Sequence, residues 1–182
     1  IDLDLGASNL HTCLGVPIPE KTLSDYLCKK VGKLEDLLTP TPIENLSIIS
    51  GAQDELGMAN LKQMQKARLL SKLSKIDANY ILLDLGAGTS FNTLDFFISA
   101  DQGILATLPE PTSIENTYRF IKAVYHRKLK MIEELLELGP TIDQKLNSKM
   151  SMGQGPTQMI QAIIDKNPSI GLKVQNELAK LR

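Results

Sequence analysis

Tryptophan is absent, and Tyr and Phe together supply 4% of the 182 residues. Bases stack on aromatic platforms, so a chain this poor in rings is badly equipped to hold single-stranded nucleic acid. Cysteine is scarce as well: Cys13 and Cys28 are the only two, at a spacing that fits neither a zinc site nor a redox pair. Two such thiols suit a reducing cytoplasm, which is the location the sequence implies. No apolar run reaches the roughly 18 residues that a bilayer-crossing helix needs, and no secretory leader pattern is present. Neither sign of charge dominates, since 20 basic residues face 21 acidic ones for a net charge of −1. Broad electrostatic capture of nucleic acid is therefore not expected, a local basic patch aside. The two histidines, His11 and His126, have no Cys or Asp cluster around them and read as surface or satisfied core residues. Ser8, Ser90 and Ser113 lack a Gly-x-Ser-x-Gly setting, which leaves a hydrolase triad little support. An initiator methionine is missing too: Ile1 opens inside an apparent strand, and the chain is expected to be a piece of a longer protein.

What is present is ordinary globular composition, 42% apolar and 23% charged, enough for one domain with a sizeable core. The most informative stretch is Tyr80 to Thr89, Tyr-Ile-Leu-Leu-Asp-Leu-Gly-Ala-Gly-Thr. Its first four residues are apolar or aromatic, the length of a strand buried on both faces of a parallel sheet. The run ends on Asp84, then reaches Gly86 and Gly88. A carboxylate at the end of a strand can hold Mg2+, and glycines let backbone N–H groups approach a phosphate with no Cβ in the way. Asp and Gly are also common in plain strand-to-loop turns. A second copy strengthens the functional reading, because Leu3-Asp4-Leu5-Gly6-Ala7 repeats Leu83-Asp84-Leu85-Gly86-Ala87 letter for letter. Two such strands would set Asp4 and Asp84 at matching edges, and open parallel α/β sheets bind ligands outside those edges.

Ile1 to Leu5, Leu46 to Ile49, Tyr80 to Leu83 and Gly103 to Leu108 read as strands. Thr22 and Asp25 mark a helix start, and Leu34 to Leu38 reads as one more turn before Pro40 and Pro42. Asn60 to Ile76 is an amphipathic helix with Leu61, Met64, Leu69, Leu70, Leu73 and Ile76 on one face. Lys62, Lys66, Arg68, Lys72 and Lys75 are expected on its solvated side. Phe91 to Ser99 is a short helix, and Thr112 with Glu115 forms a capping box for the next. This alternation predicts an α/β fold with a doubly wound, mostly parallel sheet over residues 1–124. Residues 125–182 show no strand pattern and read as an all-helical appendage or insertion. In it, Tyr125 to Leu138 is helical up to Gly139-Pro140, Ser148 to Pro156 is a loop, and Gln158 to Ile164 and Pro168 to Leu181 are helices.

Over residues 1–124 three stretches resemble the MinD/ParA family of P-loop ATPases, the branch with a deviant Walker A loop. Ile1-Asp2-Leu3-Asp4-Leu5-Gly6-Ala7-Ser8-Asn9-Leu10 is similar to the second strand and switch I. Ile81-Leu82-Leu83-Asp84-Leu85-Gly86-Ala87-Gly88 is similar to the Walker B strand and switch II. Ala106-Thr107-Leu108-Pro109-Glu110-Pro111-Thr112-Ser113 is similar to the Pro-Glu turn and the helix after it. The Pro-Glu-Pro-Thr-Ser form most resembles the MinD-like regulators of flagellar number. The resemblance implies a P-loop NTPase-like sheet and hydrolysis of ATP with Mg2+ in a nucleotide-dependent homodimer. It also implies a protein partner in a flagellar or other positioning system, and peripheral membrane association through regions outside these residues. Asp84 would hold Mg2+ through water, Asp4 would orient or activate the attacking water, and Asn9 and Gly86 would belong to the two switches that sense ATP. Pro109 and Glu110 would lie near the nucleotide edge or the dimer face. The Lys-containing phosphate loop and the Asn-bearing strand that contacts adenine are not among these residues. The chain by itself is therefore expected to be inactive, as an incomplete nucleotide-binding domain. Iron–sulfur relatives on the same fold need cysteines after the Walker B region, and none follows Cys28. The alternative is a non-catalytic interaction module that has lost nucleotide binding.

Overall fold

The computed structural model describes residues 1–5, 7–51, 61–135, 161, 164–165 and 168–180. The chain forms two compact units, Ile1–Phe96 and Phe97–Arg182. The loop expected over Ser148 to Pro156, the break at Gly139-Pro140 and most of the helix expected over Gln158 to Ile164 lie outside the described residues.

In the first unit, α1 (Leu10–Cys13) and α2 (Leu23–Leu27) are short. The Thr22 N–H and hydroxyl both donate to the Asp25 carboxylate (2.9 and 3.2 Å), so the helix start expected at this pair is present. A single 3-10 turn, Glu35–Leu37, follows, and β1 (Thr39–Pro40) pairs antiparallel with β2 (Ser47–Ile48). Between them Asn45 takes a left-handed φ of 60°, a conformation Asn adopts more readily than most side chains. α3 (Gln63–Leu73) lays Leu69 and Leu73 into the core beside Leu3, Tyr26 and Phe96.

Two expectations for α3 need correction. Met64 is 85% exposed, because it lies well off the Leu69–Leu73 line on the helical wheel. Lys66, expected in solvent, falls three residues before Leu69 on the buried face and forms an ion pair with Asp95. Asp95 sits on α4 (Phe91–Ser99), whose limits match the expected helix.

In the second unit, α5 (Pro111–Leu135) is one helix of 25 residues in contact with α6 (Pro168–Lys180). Val124, Leu129, Ile132 and Val174 are buried, and Phe97 meets Phe120 edge-to-face at 5.0 Å. Residues 124 and 125, where the sequence changes character, are consecutive positions within α5. The expected Thr112–Glu115 capping box does not form. With Pro111 at the first helical position, Thr112 is already inside the helix, and Glu115 instead pairs forward with Arg119 at 2.6 Å. The start is tied down by Ser113, whose hydroxyl accepts the Leu108 N–H at 3.0 Å.

The doubly wound sheet is not seen among the described residues. Regular strands there are limited to β1 and β2, and one isolated parallel bridge links Asp2 and Asp84 elsewhere. Residues 80–83 and 103–108 are not strands. Nor is the Tyr80 stretch buried on both faces, since Tyr80 is 89% and Leu82 68% exposed. A strand exists only through its neighbours. On the edge of this stretch away from residues 1–3, no described residue hydrogen-bonds to the backbone of Ile81, Leu83 or Leu85.

Candidate functional site

Residues 1–3 run between two neighbours. On one side the Asp2 N–H donates to the Ile49 carbonyl at 3.0 Å. On the other, Ile1 N donates to Leu82 O (2.8 Å), Leu3 N to Asp84 O (2.8 Å), and Asp84 N to Ile1 O (2.9 Å). Three extended segments therefore end side by side. Their carboxyl ends carry Asp4, Ser50-Gly51 and Leu85-Gly86, the side on which open α/β sheets bind ligands.

The register corrects one detail of the sequence reading. The two Leu-Asp-Leu-Gly-Ala copies are not in phase, because the bridge sets Asp2 opposite Asp84. Asp4 thus falls level with Gly86, two residues further on. The two meet closely: a Cβ placed on Gly86 would stand 2.7 Å from both Cγ and Oδ1 of Asp4. The missing side chain of Gly86 is the space the Asp4 carboxylate occupies, so a larger residue there would have to push that carboxylate aside.

Asp84 lies beside this pair. Burial first, then the negative charge of Asp2, raises its carboxyl above the usual range. Asp4 adds a further upward push. A carboxyl raised first by burial and then by acidic neighbours is one that a nearby cation would favour in its charged form. Mg2+ is commonly bound through one or two carboxylates, with waters and substrate phosphates completing its shell, and Asp4 and Asp84 are the carboxylates at these segment ends that could supply them. Among the described residues no group of three or more His, Cys, Asp or Glu is arranged to enclose a metal by itself.

Asn9 is exposed and precedes α1, its carbonyl accepting the Thr12 and Cys13 N–H groups at 3.0 and 3.3 Å. Pro109 and Glu110 belong to the second unit. Both are exposed, and the Glu110 carbonyl accepts the Ile114 N–H at 2.9 Å in the first turn of α5. His11 is buried, with no hydrogen-bond partner for its Nδ1 among the described residues, contrary to the satisfied or surface role expected of it.

Sequence reasoning gave no role to Asp2, the most deeply buried carboxylate of the site at 1% exposure. Its Oδ1 accepts the Asp4 N–H at 3.1 Å, and its Oδ2 accepts the Ser8 hydroxyl at 2.6 Å and the Leu10 N–H at 3.1 Å. The available signal was the acidic residue two before Asp4, followed by Ser8 within one loop's reach.

Acidic segment ends lie beside glycine-bearing loops, and likeness to solved structures makes the fold P-loop NTPase-like. The solved structure of the septum site-determining protein MinD complexed with Mg-ADP, from Pyrococcus horikoshii, superposes with a TM-score of 0.55 at 29% identity. It covers 76% of this chain and 51% of that one. Among curated proteins, the antiactivator FleN of Pseudomonas aeruginosa is 32% identical over 124 residues, 67% of this chain and 43% of FleN. The flagellum site-determining protein YlxH of Helicobacter pylori is 30% identical over 128 residues, 66% of this chain and 41% of YlxH. The chain belongs to the MinD/ParA family. It spans less than half the length of the curated relatives it matches. No family model matches it.

Proposed function

We propose that these residues are the switch-bearing part of a MinD-like ATPase that hydrolyses ATP in a nucleotide-dependent dimer, and that the assembly it counts or positions is flagellar. The observation that carries this reading is the fit of the Asp4 carboxylate against Gly86, next to Asp84. Phosphoryl transfer asks a protein mainly for positioning and for charge at set points. In this reading Asp84 holds Mg2+ through water, and that ion, when bound with ATP, neutralises phosphate charge. Asp4 orients the attacking water. Asn9 and Gly86 report the state of the nucleotide through the loops that carry them, and Pro109 and Glu110 lie at the nucleotide edge or the dimer face. A flagellar protein partner and a cytoplasmic location, with peripheral contact at the inner face of the membrane, belong to the same reading.

No Lys-containing phosphate loop occurs in the 182 residues, and its N–H cradle is the main anchor for the phosphates. Isothermal titration of the chain with Mg-ATP should accordingly show no micromolar binding. A longer polypeptide that includes these residues and such a loop should bind Mg-ATP and hydrolyse it. In that protein Asp4→Ala should lower kcat by about 10²-fold or more while the ATP affinity changes far less. An unchanged kcat removes Asp4 from the mechanism. Failure of the longer protein to bind nucleotide returns the chain to a non-catalytic interaction module.

A further inference from the structure

Asp4 and Asn9 stand on the loop between positions 4 and 10, whose described residues up to 9 form no helix or strand. The Ala7 N–H donates to the Asp4 carbonyl at 3.2 Å within it, and three further hydrogen bonds converge on one buried group. Asp2 Oδ1 accepts the Asp4 N–H (3.1 Å), while Oδ2 accepts the Ser8 hydroxyl (2.6 Å) and the Leu10 N–H (3.1 Å). The carboxylate is itself fixed from behind, because the Asp2 N–H is spent on Ile49 and its neighbours Ile1 and Leu3 are laddered to Leu82 and Asp84. Charge-assisted hydrogen bonds of this kind are about twice as strong as neutral ones. The far side of the loop rests on Gly51, where a Cβ would stand 2.8 Å from Ser8 Oγ and 3.1 Å from the Asp2 carbonyl oxygen. Ser8 is thus held between a buried anion and a bare stretch of backbone.

We infer that Asp2, acting through Ser8 and the Leu10 amide, is a positioning residue that clasps loop 4–10 and so sets where the Asp4 carboxylate and Asn9 stand. It does not touch nucleotide. It works by being an acceptor that does not move, with the Ser8 hydroxyl as the latch and Gly51 as the floor on which the latch closes. The inference deepens the assignment of Asp4 and rests on it for its functional meaning, but the clasp itself is a property of this chain without nucleotide.

The chain labelled with 15N, with no nucleotide added, provides the test. Ser8→Ala should accelerate amide hydrogen exchange at Asp4 and Leu10 by about tenfold, as expected for loss of one hydrogen bond to a charged group. The Leu3 and Leu23 amides, bonded to Asp84 and Ser50 carbonyls, should stay within about twofold of the parent, since local opening is separable from global opening. Ser8→Thr keeps the hydroxyl and should restore slow exchange at both positions. Asp2→Asn should reproduce the Ser8→Ala pattern more strongly. If it does not fold, the Ser8 pair decides the matter. Uniform acceleration at every amide would make Ser8 merely structural and overturn the inference. So would unchanged exchange at Asp4 and Leu10, or a failure of Ser8→Thr to restore them. None of these outcomes depends on whether the protein hydrolyses ATP, so the two readings fail separately.

Discussion

At the scale of single residues the site is a matter of fit. Gly86 leaves room for the Asp4 carboxylate, so Gly86→Ala should be destabilising by about 1–3 kcal/mol in chemical denaturation, the usual cost of overpacking. Introducing it into an Asp4→Ala background should cost much less, and a double-mutant cycle reads that difference directly. Purely additive effects would mean the two residues do not touch. Asp25 offers a pH test. The Thr22 backbone N–H, first among its contacts, holds its carboxyl below the ordinary range. A depressed folded-state value means the unfolded chain binds the proton more tightly. Its contribution is therefore complete above the ordinary carboxyl value of 3.8 and is lost as pH falls through the lower, folded value. Asp25→Ala should cost about 1 kcal/mol at neutral pH, as for loss of a helix cap. The gap in Tm to the parent should close on acidification. Asp4, Gly86 and the Thr22–Asp25 pair were legible because each has a local signature. Asp2 was not, because its importance lies in three bonds that only the folded loop creates.

Helices and strands differed in how far they could be read. α4 and the Pro168 start of α6 follow from apolar period and capping chemistry, which are properties of the segment itself. The strands expected over Tyr80 to Leu83 and Gly103 to Leu108 depend on partners, and among the described residues those partners are few. On α3 the periodicity located the helix but misplaced Lys66, since a long basic side chain looks solvent-bound until its carboxylate is found. Lys66 and Asp95 are both largely buried, at 10% and 14% side-chain exposure. Lys66→Ala should destabilise the first unit by about 1–3 kcal/mol by removing a charged hydrogen-bond partner of the Asp95 carboxylate. Replacing both, as Lys66→Met with Asp95→Leu, should recover most of that loss in urea denaturation. A single variant as stable as the parent would show the pair to be solvated.

For the molecule as a whole, the family was legible from three motifs in order, while the sheet topology was not. The reason is physical: residues 1–5, 46–51 and 80–86 supply the site's carboxyl ends, but a sheet also needs the strands that flank them. The chain spans 43% of FleN and 51% of the Mg-ADP-bound MinD structure, and among the described residues the stretch at 80–83 has backbone hydrogen-bond partners on one side alone. Tyr80 and Leu82 stand in water, beside backbone groups with nothing described to bond to. Such a ribbon is adhesive toward others of its kind. Handled at high concentration, the isolated chain should scatter light increasingly with concentration, and Leu82→Lys should suppress that scattering while leaving the helical circular dichroism intact. The practical corollary concerns the bench: the length of polypeptide chosen for expression will govern yield before any question of catalysis arises.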